Sequence, residues 1–168
     1  MDNTELNRRL KDRAVALGLC RQWTGEWESN ETKDHLIKKY KKGIDFCIKH
    51  DYPNNEFIKA NFPKDLLHDN LVFVDEHIDM IGKSGVYVIN GSCEGSLIFS
   101  GYSAATVYVR HDTNISITAK DFAKVFVSVF DDAELNVKAF EGSKIYVYGK
   151  SDRCKIAGAG NWLLRQSV

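Results

Sequence analysis

Four aspartates, Asp112, Asp131, Asp132 and Asp152, fall at similar points of successive stretches about twenty residues long. Carboxylates on neighbouring turns of a repeating scaffold suit glycoside cleavage. One protonates the leaving oxygen, and a partner carboxylate acts at a set separation. The same spacing has a plainer source, because aspartate fits a tight turn by hydrogen-bonding its own backbone. That reading covers all four. The histidines, His35, His50, His68, His77 and His111, contain no His-Glu-x-x-His arrangement, and His77 and His111 are too far apart in sequence for a metal site. Cys20, Cys47, Cys93 and Cys154 include no Cys-x-x-Cys pair, which argues against a zinc site or a dithiol redox centre. They are expected to be reduced thiols, mostly buried. No phosphate-cradling Gly-x-x-x-x-Gly-Lys-Ser/Thr loop is present. No cofactor and no metal are expected, and the chain is not read as an enzyme.

A row of rings is more suggestive. Tyr87, Tyr108, Phe126 and Tyr146 each lie between two aliphatic residues, as in Val107-Tyr108-Val109, Val125-Phe126-Val127 and Ile145-Tyr146-Val147. They recur at intervals of 21, 18 and 20 residues. In the intervening phrases the equivalent place is polar, as in Ile115-Ser116-Ile117 and Leu135-Asn136-Val137. The alternation predicts one outer face with a ladder of rings, and Lys124 and Lys144 beside it. Aromatic and lysine rows are interface material, so a protein partner or self-association is expected there. Packing of the chain's own helices on the rings would remove that meaning. A carbohydrate held by the rings or the Asp corners is the first alternative. The second is nucleic acid bound by a helix rich in lysine (Lys33, Lys38, Lys39, Lys41, Lys42 and Lys49). No arginine or aromatic residue is interleaved on that helix face to stack on bases, so nucleic acid is not favoured.

The elements that position these residues follow from a ten-residue phrase that returns between about Gly85 and Gly158. Its clearest copies begin at Ala123, Ala133 and Ser143: a small residue, an aliphatic two later, another two after that, then Asp, Gly or Ser. From Leu71 onward the apolar period is 2, with strand-like runs at 71–74, 77–81, 86–89, 96–99, 106–109, 115–118, 124–129, 134–138, 144–148 and 154–156. Asn-Gly, the strongest short hairpin signal, occurs once, at Asn90-Gly91. Self-similarity at a fixed period marks stacked coils. Inward positions would be small at the phrase start (Ala105, Ala123, Ala133, Ser143) and branched in mid-strand (Val107, Val125, Leu135, Ile145). Two phrases make one coil. The expected fold is mainly β: a single-stranded parallel β-solenoid, or β-helix, of about twenty residues per coil, capped by helices.

The phrase resembles the repeats of parallel β-helix proteins. It is similar in style to the bactofilin-type solenoids and to degenerate repeats in short bacterial and phage reading frames. The segment from Leu10 to Trp23 looks like the opening of small accessory proteins of bacterial mobile elements. The resemblance implies an architecture and carries no catalytic residue. The six-residue period of hexapeptide acyltransferases and the five-residue period of pentapeptide DNA mimics are both absent.

Residues 1–70 read as a helical segment and 71–168 as the solenoid with a C-terminal cap. Leu6, Leu10, Ala14 and Leu17 mark a first helix, with Asn3 or Thr4 as its cap and Gly18 as its end. A short second helix over 20–27 would place Trp23 and Trp27 on one face for core packing. A long helix over 32–50 follows, then short helices after Tyr52-Pro53 and Phe62-Pro63. The helices are expected to cover the first coil, and Trp162, Leu163 and Leu164 the last. Lys plus Arg and Asp plus Glu number 23 each, so no global charge draws the chain to nucleic acid or membrane. The charged opening residues lack an apolar signal core, and no apolar run approaches the ~20 residues of a membrane span. A cytoplasmic location is expected.

Overall fold

The structure, a computed structural model, describes residues 1–166, which divide into two compact units, one running from Met1 to Asn70 and the other beginning at Leu71. The first unit holds α1 (Asn3–Ala16), α2 (Arg21–Gly25), α3 (Lys33–Lys42), α4 (Ile44–His50), α5 (Asn55–Asn61) and α6 (Lys64–Asp69). The cap of α1 is Asp2, one residue before the expected positions; its carboxylate accepts the Glu5 N–H at 2.8 Å. The helix ends as predicted. Gly18 takes a φ of +97°, its N–H reaching Val15 O and the Leu19 N–H reaching Ala14 O, both at 2.9 Å.

Two helical expectations need correction. α2 stops at Gly25, so Trp23 and Trp27 do not share a helix face. Both still serve packing. The Trp27 indole N–H donates to Asn7 Oδ1 at 3.1 Å, and the Trp23 ring lies against Gly43, where an added Cβ would stand 3.4 Å away. The long helix over 32–50 is two helices, α3 and α4, meeting at Gly43. Glycine is the weakest helix former in that stretch, and here it also admits the Trp23 ring.

The second unit is a parallel β-solenoid of about five coils with about twenty residues in each. Its strands are β1 (Val72–Val74), β2 (His77–Ile81), β3 (Gly85–Asn90), β4 (Glu94–Phe99), β5 (Ala104–Val109), β6 (Asn114–Ala119), β7 (Lys124–Val129), β8 (Glu134–Ala139), β9 (Lys144–Gly149), β10 (Lys155–Gly160) and β11 (Trp162–Gln166). Odd-numbered strands form one sheet, in the order β1-β3-β5-β7-β9-β11, and even-numbered strands the other, β10-β8-β6-β4-β2. Every pairing is parallel and joins a strand to its equivalent one coil away.

Alternate residues of each strand point into the space between the sheets, where they form rows of like on like. Tyr87, Val107, Val127 and Val147 are one such row; Leu97, Ile117 and Val137 are another. All are essentially fully buried. Burying a Val, Leu or Ile side chain contributes about 1.5–3 kcal/mol. Gly95 belongs to the row Ile78, Gly95, Ile115 and Leu135. It has a φ of +125°, and a Cβ there would fall 1.8 Å from the Ile78 carbonyl oxygen, so the close rung needs glycine.

The tail does not cover the last coil. Trp162, Leu163 and Leu164 lie in an eleventh strand that pairs with β9 and continues the ladder. Trp162 faces inward, and its ring fills the space left by Gly158, where a Cβ would meet it at 2.6 Å.

Two measurements test this interior. Ile117→Ala is expected to cost about 2–5 kcal/mol in urea unfolding, and Ile117→Val about 0.5–1.5 kcal/mol. Equal effects would contradict a tight row. No disulfide joins the four cysteines; Cys20 is exposed, while Cys47 and Cys93 are buried. Burial pushes the Cys93 thiol up to about 11. Ellman's reagent at pH 8 should label Cys20 first and reach Cys93 only after unfolding. A fast phase that survives Cys20→Ser would refute that order.

Candidate functional site

On the outward side of the odd-numbered sheet, register decides which rings meet. Phe126 pairs with Tyr146, and the rings stack with centroids 5.0 Å apart and planes 9° from parallel. That spacing is close to the rung separation of a sheet, so the backbone ladder itself sets the stack. Thr106 precedes this row and Leu163 ends it; Phe126 and Leu163 are each 40% exposed. Lys124 pairs with Lys144 along the same strands. Like charges on adjacent rungs repel, and Lys144 turns aside, donating to Asn161 Oδ1 at 2.9 Å with its ammonium 5.8 Å from the Tyr146 ring centre. Four of the six expected residues, Lys124, Phe126, Lys144 and Tyr146, are therefore neighbours.

The other two are not in the row. Tyr108 faces outward but pairs with Ser128, which pairs with Tyr148, so it belongs to the adjacent row. Its interval of 18 residues to Phe126 is two short of a coil. An even slip keeps the face and changes the row. Tyr87 is a correction to the expected face. It pairs with Val107 and is fully buried, its ring edge-on to Phe99 at 5.3 Å. Its interval of 21 to Tyr108 is one long, and an odd slip sends a side chain to the opposite face. The Tyr87 hydroxyl donates to Lys83 O at 2.6 Å and accepts the Lys83 N–H at 2.8 Å. Burial raises its pKa, with the backbone hydrogen bond opposing in part. The same two-residue slip puts Ala105 beside Val125, not at the corner; Ser103 holds the corner instead.

Sequence reasoning missed a second set of rings at the corner that leads into β5, β7 and β9. Tyr102 and Phe122 are 84% and 56% exposed and stack on one another at 5.1 Å and 13°. Phe140 is also exposed, with the Lys138 ammonium 4.8 Å from its centre. The signal was present: aromatic residues stand in Ser100-Gly-Tyr-Ser, Lys120-Asp-Phe-Ala and Phe140-Glu-Gly-Ser, where turns call for small or polar residues. An aromatic residue at such a turn has no interior to enter. The corner is rigid, because the Asp121 carboxylate accepts the Gly101 N–H at 2.8 Å and Ser143 Oγ donates to Phe140 O and Ala119 O.

Of the four aspartates, Asp131 ties one coil to the next. Asp131, at a φ of +56°, accepts the His111 N–H of the preceding coil at 3.0 Å. His111, at +57°, accepts the Gly91 N–H on Nδ1 at 2.9 Å. Asp132 pairs with Arg153 at 2.9 Å. Asp112 and Asp152 are on the surface. Three lysines of α3 are engaged within their own unit. Lys38 pairs with Asp34, Lys39 with Glu31, and Lys42 lies over Trp23. Among the described residues, no group of three His, Cys, Asp or Glu side chains is placed to hold a metal, and no helix is long and apolar enough to cross a membrane.

By its fold the chain is a parallel β-solenoid with N-terminal helices. Compared with family models, curated proteins and solved structures, it matches none.

The corner ladder yields a direct test. Asp131→Ala should destabilise the solenoid by about 1–3 kcal/mol, from a left-handed residue without a polar side chain plus an unpaired His111 N–H. Asp131→Asn, which keeps the acceptor and tolerates that backbone, should lose less than half as much in the same unfolding experiment. Equal losses would mean that the charge, not the bond to the neighbouring coil, matters.

Proposed function

We propose that this chain is a non-enzymatic interaction module that binds a protein partner on the outward face of the odd-numbered sheet and its adjoining aromatic corner. The observation that carries this reading is where the rings lie. In a unit whose interior rows are fully buried, Tyr102, Phe122, Phe126 and Phe140 stand exposed. Such apolar surface on rigid strands and corners costs little side-chain entropy to bind against.

The stacking leaves less ring face for a sugar or nucleobase: in the pairs Tyr102–Phe122 and Phe126–Tyr146 the inner faces cover each other, and the outer faces and edges remain. Ring edges suit aliphatic and aromatic side chains of a protein partner. Lys124, Lys138 and Lys144 border them and would meet acidic residues on the partner's rim. A cytoplasmic setting is part of the proposal, supported by four cysteines that form no disulfide.

Site-specific photocrosslinking in the native host tests the face. A benzophenone side chain at Phe126 should yield a discrete protein adduct that disappears when Tyr102 and Phe122 are both changed to Ser. The same probe at Ser116, exposed on the even-numbered sheet, should not yield it. Identical adducts at both positions, or none at Phe126, would refute the assignment.

A further inference from the structure

Charge is divided unequally between the two sheets. Among the described residues, the six odd-numbered strands contain no Asp or Glu, whereas the even-numbered sheet carries Asp79, Glu94 and Glu134. Two of these carboxylates have a basic partner on the adjoining rung. The His77 ring is 3.9 Å from Glu94, and Lys155 is 3.3 Å from Glu134. The odd-numbered sheet has no such balance. Lys124 stands between Ala104 and Lys144, and among the described residues neither lysine forms an ion pair. Basic and acidic residues number 23 each in the chain, so this one-sided face comes from placement and not from composition.

The face also restricts the form of what it can hold. β3, β5, β7 and β9 each have a hydrogen-bonded strand on both sides, so they offer side chains and no backbone edge. A segment lying on the rings must satisfy its own N–H and C=O groups, since a backbone group pressed onto a ring finds no partner there. An α-helix does this internally. One helical turn advances about 5.4 Å, close to the ~4.8 Å rung spacing, so one apolar residue per turn can follow the row Thr106, Phe126 and Tyr146. The lysine row lies two residues along the strands from that row, about 7 Å away. Lys150, with its ammonium 5.8 Å from the Tyr148 ring centre, marks the opposite flank.

We propose that the segment bound on this face is an acidic amphipathic helix, lying along the solenoid axis with apolar residues on Phe126 and Tyr146 and carboxylates toward Lys124 and Lys144. This rests on the reading of the face as a protein-binding surface and names the chemistry of the partner. Lys124 and Lys144 are one rung apart, so carboxylates at i and i+4 of a helix can meet both. Such a helix relieves the repulsion between the two ammonium groups, and a basic one adds to it.

Fluorescence anisotropy of the full chain with three labelled helical peptides, each about sixteen residues long, tests the assignment. The first carries a stripe of Leu with Glu on both flanks, the second has Lys for every Glu, and the third is the first with a central Pro. The first should bind at least about tenfold more tightly than the second, and the difference should shrink between about 50 and about 500 mM salt. The Pro peptide should also bind at least about tenfold more weakly than the first. Lys124→Glu combined with Lys144→Glu should reverse the preference. If that variant fails to fold, Lys124→Gln with Lys144→Gln takes its place and should abolish the preference. No binding of the first peptide by about 1 mM, equal affinity for the first two, a Pro peptide as good as the first, or a preference unchanged in the lysine variants would overturn the proposal. A discrete adduct at Phe126 together with any of these results would leave the binding face standing and remove only the acidic helix. Absence of that adduct would remove the face itself.

Discussion

Parallel pairing sets each residue of a coil against its equivalent one coil away, at the ~4.8 Å rung spacing, and the rest of the second unit follows from that registration. Inside, it demands rows that tolerate like on like. Val107 on Val127 on Val147, and Ile117 on Val137, meet the demand with branched side chains that interlock at that distance. Outside, the same spacing suits the stacking of flat rings, so Phe126 and Tyr146 are held face to face without further support. One geometric condition thus produces both the core and the surface nominated for binding.

At the corners the registration acts on hydrogen bonding. A left-handed residue in a tight turn leaves an N–H that its own turn does not satisfy. With the next coil one rung away, a short acceptor there can reach it. His111 serves Gly91, Asp131 serves His111 and Asp121 serves Gly101. Of the four aspartates singled out by spacing, Asp131 belongs to this chain of bonds, in a row with Gly91 and His111; Asp112, Asp132 and Asp152 stand one residue further along, on the surface.

The period, the strand parity and the change from helix at residue 71 were legible in the sequence because they depend on the alternation of apolar residues, which single side chains carry. Register was less legible. Intervals of 21, 18 and 20 between rings look alike on the page, yet only a full coil keeps a residue in its row. The extra residue before Tyr108 buries Tyr87, and the two missing after it put Tyr108 beside Ser128. The local phrase could not reveal this, since Val86-Tyr87-Val88 alternates as well as Val125-Phe126-Val127 does. The tail misled for a related reason. Trp162-Leu163-Leu164 is apolar throughout, and a continuous apolar run does not distinguish a lid from a strand with both faces in use. The rings at Tyr102 and Phe122 were readable, since only an outward direction is open to an aromatic residue in a turn.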